Sequence, residues 1–325
     1  MKFPRRQFMH LAAGAAALPA ASGIARAQVY PARPVRIIVP YPPGGPTDII
    51  ARLVAQWLSK SLGQQFFIEN RPGADGNIGT EAVVHAPANG YTLLLAGSNN
   101  TVNATLYNNL KFDFIRDIAP VASIVSVPLV MLVHPSLPAH SVSEFIAYVK
   151  ANPGKVNYAS GGIGSAPHLA AEMFKIMAGV NLVHVPYRGA APALTDLLAG
   201  QVQVSFISML GVIDYINAGS LRPLAVTTSK RSEVLPELPT VAEFVPRYDT
   251  SFWTGIGAPR NTPPEIIQKL NREINAALAS PVLKAQLADQ GGAVLGGSPA
   301  EFGKFIADNT EQWGKVIRAL NIKPE

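Results

Sequence analysis

Cysteine is absent from the 325-residue sequence, which excludes disulfides and cysteine-ligated metal centres. Histidine would then have to supply most ligands of a zinc or iron site, but no two histidines show H-x-H or H-E-x-x-H spacing. The histidines beyond residue 27 are His85, His134, His140, His168 and His184. We therefore expect neither a bound metal nor a cofactor.

Common catalytic motifs are also missing. The chain contains no G-x-S-x-G nucleophile turn, no G-x-x-x-x-G-K-[ST] phosphate loop and no G-x-G-x-x-G turn. A catalytic centre would have to be assembled from residues far apart in the sequence. We assign no catalytic residue and expect that the protein is not an enzyme.

Long apolar runs are lacking too, since no stretch reaches the roughly 18 residues needed to span a bilayer. The longest, Ile118–Val133, is interrupted by Pro120 and Pro128 and is more typical of buried strand. A shorter apolar stretch, Leu11–Ala21, follows Arg5-Arg6 and precedes Ala25-Arg-Ala27. This order is typical of a twin-arginine signal peptide, so we expect residues 1–27 to be removed and the mature chain to reach the periplasm. The alternative is a basic amphipathic helix that stays in the mature protein.

Charged residues are scarce, at 15% of the chain, and the formal net charge is +6. Four positive charges lie within residues 1–27, so the mature chain carries 6 − 4 = +2. No cluster of Lys or Arg remains to bind phosphates. We expect no nucleic-acid partner.

Strand-like apolar runs alternate with helical patterns along most of the chain, which predicts an α/β fold with mostly parallel sheets flanked by helices. Two extended segments, 119–133 and 244–253, look like crossings between two lobes. Residues 28–125 together with 249–325 would form lobe 1, and residues 126–248 would form lobe 2. An inserted second lobe is typical of a hinge with a central cleft.

Four glycine-rich turns each follow a predicted strand and precede a predicted helix. They are Pro40–Asp48, Gly97–Asn100, Ala159–Ser165 and Pro186–Ala191. Open α/β sheets place ligands at the carboxyl ends of their strands. Glycine allows close backbone approach, and the amides at a helix N-terminus attract an anion. The turns therefore favour a site that holds a carboxylate without Lys or Arg.

Three longer segments resemble the solute receptors of the tripartite tricarboxylate transporters, also called Bug (Bordetella uptake) proteins. They are Val39-PYPPGGPT-Asp48, Glu69-NRPGADGNI-Gly79 and Val185-PYRGAAPA-Leu194. The similarity extends from about Pro34 to Ile322. It implies a type II periplasmic binding protein fold with a Venus-flytrap cleft and a carboxylate ligand held by loops of both lobes.

The resemblance also implies which residues line the cleft. From lobe 1 these are Tyr41, Pro43, Gly44, Asp48, Ser98 and Asn99. From lobe 2 they are Ser160, Gly161, Gly164, Ser165, His168, Tyr187, Gly189 and Ala190. Independently of the resemblance, we expect the apolar walls to come from Tyr41, Phe206 and Trp253. For Asp48, capping of the following helix is an equal alternative to ligand contact.

One position departs from the family pattern. Many relatives carry an aspartate after the phenylalanine that matches Phe206, whereas this chain has Ile207. The lost acid disfavours amino-acid ligands and favours an aromatic or aliphatic carboxylate.

We expect a monomeric receptor that closes on such a solute and delivers it to a membrane permease. A ligand-sensing co-receptor of a signalling system and a secreted enzyme on the same fold are the alternatives.

Overall fold

The computed structural model describes residues 30–107, 109–187, 189–209, 212–232, 234–289, 291–319 and 321–323. The predicted signal peptide, residues 1–27, lies outside these ranges. Within them, no helix is both long and apolar enough to cross a membrane.

Ten strands and eleven α-helices are formed in the described part of the chain. The strands are β1 Val35–Val39, β2 Phe66–Asn70, β3 Thr92–Gly97, β4 Ile118–Val133, β5 Asn157–Ser160, β6 Val183–Pro186, β7 Val204–Ser208, β8 Arg222–Val226, β9 Ser251–Pro259 and β10 Ala293–Val294. The helices are α1 Pro46–Leu62, α2 Asn77–Val84, α3 Ser98–Leu106, α4 Phe114–Asp117, α5 Val142–Ala151, α6 Ala166–Ala178, α7 Ala190–Leu198, α8 Ile213–Asn217, α9 Pro264–Ala279, α10 Pro281–Asp289 and α11 Pro299–Ala319. Two 3₁₀ turns cover Ala74–Gly76 and Val241–Glu243.

The strands form one continuous sheet in the order β2-β1-β3-β9-β4-β7-β5-β6, with β8 and β10 also paired to β4. β4 changes partners along its length: residues up to Pro128 pair with β9, and residues from Leu129 onward pair with β7 and β8. We call the strands on either side of this change the first half-sheet (β1, β2, β3, β9, β10) and the second half-sheet (β5, β6, β7, β8). The division into lobes at residues 126 and 248 stays a prediction.

The sheet is mixed, whereas the sequence predicts mostly parallel strands. β1 pairs in parallel with β2 and β3, and β5 pairs in parallel with β6 and β7. The pairings of β4 and β9, the two long strands, are antiparallel. β4 and β9 run past each other in opposite directions, and this reversal produces the antiparallel centre.

Apolar side chains cover both faces of the sheet. In the first half-sheet, one cluster packs α1 and α9 against β1 and β3, and a second packs Trp253 of β9 against Phe302 of α11. Gly255 is required at that contact, because a Cβ there would lie 2.3 Å from the Phe302 ring.

A third apolar cluster connects the two half-sheets. It joins Val102 and Leu106 at the end of α3, and Trp313 and Ile317 near the end of α11, to residues of α6 such as Leu169. α3 begins at a glycine turn of the first half-sheet, whereas α6 packs on β7 of the second. This cluster therefore packs the end of α3 and the end of α11 against α6.

Candidate functional site

The four predicted glycine turns lie directly before helices. The chain leaves β1 and begins α1, leaves β3 and begins α3, leaves β5 and begins α6, and leaves β6 and begins α7. β1 is the parallel neighbour of β3, and β5 is the parallel neighbour of β6. Because parallel neighbours end at the same edge, the turns lie in two adjacent pairs, one from each half-sheet.

The helices that follow these turns have no side-chain cap at their start. The N-cap residues of α1, α6 and α7 are Gly45, Ser165 and Gly189, and none accepts a hydrogen bond from the first turn through its side chain. By contrast, α5 is capped by the hydroxyl of Ser141 and α11 by that of Ser298. Uncapped amide groups at a helix N-terminus carry partial positive charge and attract an anion.

The carboxylate of Asp48 forms all its hydrogen bonds with residues of the first half-sheet and its first turn and helix. Its carboxylate is 2% exposed and accepts hydrogen bonds from the Gly44 amide at 3.0 Å, from Arg52 Nε at 2.8 Å and from Asn70 Nδ2 at 2.9 Å. Burial raises its pKa, but these hydrogen bonds outweigh burial and hold the pKa of Asp48 below its ordinary value. These contacts brace the turn at Gly44, and the choice between helix capping and ligand contact for Asp48 stays a prediction.

The remaining residues of the first turn differ in their environment. Gly44 has a φ of 85° and Pro43 is exposed, so the turn backbone is open to solvent. Tyr41 is half-buried, and its hydroxyl lies 3.4 Å from the position that a Cβ of Gly76 would occupy. Burial, followed by the negative charge of Asp75, raises the pKa of Tyr41 above its usual range.

The two predicted cleft residues of the second turn differ in exposure. Ser98 is 3% exposed, and its hydroxyl oxygen accepts a hydrogen bond from the Trp253 amide at 2.8 Å, which ties the start of α3 to β9. Asn99 is half-buried and donates through Nδ2 to Asp75 Oδ1 at 2.6 Å. Asn99 is therefore the member of this turn with accessible surface.

The third and fourth turns are joined by backbone hydrogen bonds. The Tyr187 amide donates to the Ser160 carbonyl at 3.0 Å, and the Gly189 amide donates to the Gly161 carbonyl at 3.2 Å. Within the third turn, the Ser165 hydroxyl donates to the Gly162 carbonyl at 2.7 Å. The two turns thus form one rigid rim.

Two stacked histidine rings pack against the third turn. The Gly164 amide donates to His168 Nδ1 at 3.0 Å, and the His168 ring stacks on His184 with centroids 4.2 Å apart. His184 Nε2 lies 2.6 Å from the Ser160 hydroxyl. Burial lowers the pKa of His168 to about 3 and that of His184 to about 4, so both rings are neutral at physiological pH. His168 therefore positions the turn through a neutral acceptor nitrogen.

The fourth turn ends at an exposed helix start. The Tyr187 hydroxyl donates to Asp196 Oδ2 at 2.7 Å, and burial together with this carboxylate raises the pKa of Tyr187 to about 12. Gly189 has a φ of 113°, which favours glycine, and Ala190 is exposed as the first residue of α7.

One predicted residue touches the other half of the protein. Gly164 has a φ of 83°, and a Cβ there would lie 2.6 Å from Leu106 Cδ2 at the end of α3. The rim of the second half-sheet therefore contacts a helix that begins at a turn of the first.

Two of the predicted apolar walls, Phe206 and Trp253, lie in the core. Phe206 has no exposed surface and packs against Phe174 with ring centroids 5.7 Å apart, so we leave it out of the cleft. Ile207 points to the other face of β7, where it is 7% exposed within a separate cluster. Helices cover both faces of β7, so both side chains are buried.

Sequence reasoning missed two side chains of this region, Asp75 and His184. Asp75 lies in the turn between β2 and α2, beside Asn99. The sequence does contain a pattern that points to Asp75, because Gly73-Ala-Asp-Gly76 is another glycine turn after a parallel strand. His184 is brought under Ser160 by the pairing of β5 with β6, which sequence spacing does not reveal.

A groove of about 370 Å³ lies on the outer side of the histidine stack, lined by Ile163, His168, Glu172, Lys175, Ile322 and Lys323. Lys175 donates to Glu172 at 2.6 Å, so the two charges in its wall compensate each other. The groove borders the third turn but does not contain the helix starts.

Comparison with solved structures identifies the class of this fold. The periplasmic binding protein BugD superposes with a TM-score of 0.77 at 33% identity, over 91% of this chain and all of that one. An R. palustris protein solved with adipate superposes with a TM-score of 0.81 at 39% identity, over 91% of this chain and 100% of that one. The fold is that of a periplasmic binding protein, as the sequence predicts.

The family is narrower than this class. Residues 50–322 match the sequence model of the tripartite tricarboxylate transporter family receptors. The protein BugT of Bordetella pertussis is 41% identical over 310 residues, which cover 94% of this chain and 95% of that protein. The chain therefore belongs to the tripartite tricarboxylate transporter family of receptors, and the predicted family is confirmed.

Proposed function

We propose that the protein is an extracytoplasmic receptor that captures a small carboxylate between two lobes and delivers it, chemically unchanged, to a membrane permease. The observation that carries this proposal is the set of uncapped helix starts at α1, α6 and α7, which the glycine turns leave open at the carboxyl ends of β1, β5 and β6. The N-terminal sequence favours export to the periplasm by the twin-arginine route.

Backbone amides can hold a carboxylate without a basic side chain. Hydrogen bonds to a charged group stabilise by about 1.5–3 kcal/mol each, and the helix dipole adds up to about 1 kcal/mol at each start. Two or three such bonds, opposed by the loss of solute freedom, suffice for a specific complex. The relative solved with adipate supports a carboxylate as the ligand class.

Closure of the lobes would complete the site. A solute bound to the turns of one half-sheet gains contacts from the other half only when the lobes approach, so it stabilises the closed form. Contacts worth a few kcal/mol are enough to reverse the populations of the two forms. The approach of Gly164 to Leu106 supports this arrangement, because it brings the third turn against a helix that begins at the first half-sheet.

The test is ligand-induced thermal stabilisation of the chain from Gln28 onward, measured against mono-, di- and tricarboxylates. A solute that binds only the folded state raises the melting temperature. Ala190→Asp places a negative charge at the exposed start of α7 and should weaken binding at least tenfold, because it repels the solute.

Ala300→Asp is the matched control. Ala300 is exposed in the first turn of α11, a helix start that is capped and lies outside the turns. This variant should bind like the parent. If Ala190→Asp binds the solute normally, or if both variants lose it equally, the assigned helix starts do not form the site.

A further inference from the structure

Asp75 occupies a strained turn between the two cleft turns of the first half-sheet. Ala74 and Asp75 have φ values of 46° and 51°, a left-handed conformation that residues other than glycine rarely adopt. The next residue, Gly76, packs against Pro40 and the Tyr41 hydroxyl. Such strain is concentrated at functional sites, where surrounding contacts hold it in place.

The carboxylate of Asp75 is incompletely satisfied. Oδ1 accepts from Asn99, but Oδ2 is buried without a hydrogen-bond partner in the described part of the chain. None of the ion pairs among the described residues includes Asp75. Burial raises the pKa of Asp75 to about 6, so the group is mostly ionised at neutral pH.

Two buried asparagines beside Asp75 are also incompletely satisfied. Asn103, 1% exposed, donates through Nδ2 to the Asp75 carbonyl at 3.0 Å and to Asn77 Oδ1 at 3.1 Å. Asn103 Oδ1 and Asn77 Nδ2 have no partner among the described residues. Of six such buried side-chain atoms in that part of the chain, three belong to Asp75, Asn77 and Asn103. When several neighbouring buried polar groups lack hydrogen-bond partners, they indicate a binding position for a further polar group.

Asp48 shows what a fully bonded aspartate in this half looks like. Both of its oxygens are bonded, and Arg52 neutralises its charge. Asp75 has neither feature, although it lies beside the predicted cleft residue Asn99. In a carboxylate receptor, an unneutralised acid repels a plain carboxylate unless the solute also presents a hydrogen atom to it.

We infer that Asp75 selects, within the proposed site, carboxylate solutes that also carry a hydroxyl or ammonium hydrogen-bond donor. The inference rests on the proposed function. It replaces the preference for a less polar solute that we drew from Ile207, because Asp75 supplies from the first half-sheet the acid that is missing at Ile207.

The test compares acids of one carbon skeleton that differ by a single substituent. Dissociation constants are measured by calorimetry for succinate, malate and aspartate, for glutarate, hydroxyglutarates and glutamate, and for butyrate and its hydroxy derivatives. In the parent chain, the donor-bearing member of the skeleton that binds should be favoured roughly tenfold or more over the unsubstituted acid. In Asp75→Asn this preference should fall to within about threefold.

Asp289→Asn removes the same charge at the exposed end of α10 and should keep the parental preference. Equal binding of substituted and unsubstituted acids by the parent would overturn the inference without any variant. An unchanged preference in Asp75→Asn would overturn it as well. If another carboxylate binds the parent chain but none of these donor-bearing acids does, the inference is overturned, and if no carboxylate binds at all, the proposed function itself fails.

Discussion

Replacing Asp75 by asparagine should stabilise the protein at neutral pH. Asparagine has nearly the same shape, and its carbonyl oxygen can still accept the hydrogen bond from Asn99 Nδ2. A carboxyl group whose pKa rises from 3.8 to about 6 on folding binds its proton more tightly in the folded chain. Its contribution to stability is therefore full below about pH 3.8 and is lost as the pH rises through about 6.

The size of the effect follows from the pKa shift. A shift of roughly two units corresponds to about 3 kcal/mol of unfolding free energy at pH 7.5, and to about 1 kcal/mol at pH 4.5, where the unfolded carboxyl is already partly protonated. Relative to the parent, Asp75→Asn should thus gain about 2 kcal/mol more at pH 7.5 than at pH 4.5.

Urea unfolding of parent and variant at both pH values measures this difference directly. Asp289→Asn is the charge control, because Asp289 is exposed at the end of α10, and its effect should be within about 0.5 kcal/mol at either pH. A gain in Asp75→Asn that is the same at pH 4.5 and 7.5, or a loss at both, would refute the assignment of Asp75 as an uncompensated buried charge.

Two further predictions concern the predicted cleft residues. Phe206→Ala should lower the unfolding free energy by about 3–5 kcal/mol, with the ligand-induced rise in melting temperature retained, whereas Phe67→Ala at an exposed position should cost far less; loss of binding with normal stability would instead put Phe206 in the cleft. Gly44→Ala should cost about 1–2 kcal/mol from its left-handed backbone alone. Gly164→Ala, at a similar φ, should cost more because its Cβ would overlap Leu106; equal urea midpoints for the two glycine variants would show that this contact is absent in solution.

Local patterns predicted the elements and turns because their causes are local. Apolar runs gave β1 and β3, and the glycines after them gave turns whose backbone requires a positive φ at Gly44. The long segment before Val133 became β4, which pairs with both half-sheets as a crossing strand would.

Side-chain roles were harder to predict because they depend on distant partners. Asp48 and Asp75 both follow parallel strands, yet one meets Arg52 and the other meets only amides. Phe206 and Ile207 point to opposite faces of β7, and helices bury both faces. The alternation along the strand therefore could not show whether Phe206 lines the cleft or lies in the core. The stack of His168 on His184 is a contact between α6 and β6 that sequence spacing does not predict.

The apolar cluster between α3, α6 and α11 acts on the same equilibrium as the solute in the proposed closure. Leu106 and Trp313 are each 3% exposed, and separating the half-sheets would expose part of both. Full exposure of one large apolar side chain costs about 1.5–3 kcal/mol, so partial exposure of two costs a comparable amount. In the proposed closure this cluster favours the closed form before any solute enters, and the solute adds to that preference. In the same proposal, closing removes water from the carboxylate of Asp75, so an unneutralised Asp75 opposes closure and a donor-bearing solute relieves that opposition. We therefore expect the solute that best compensates Asp75 to close the lobes most completely.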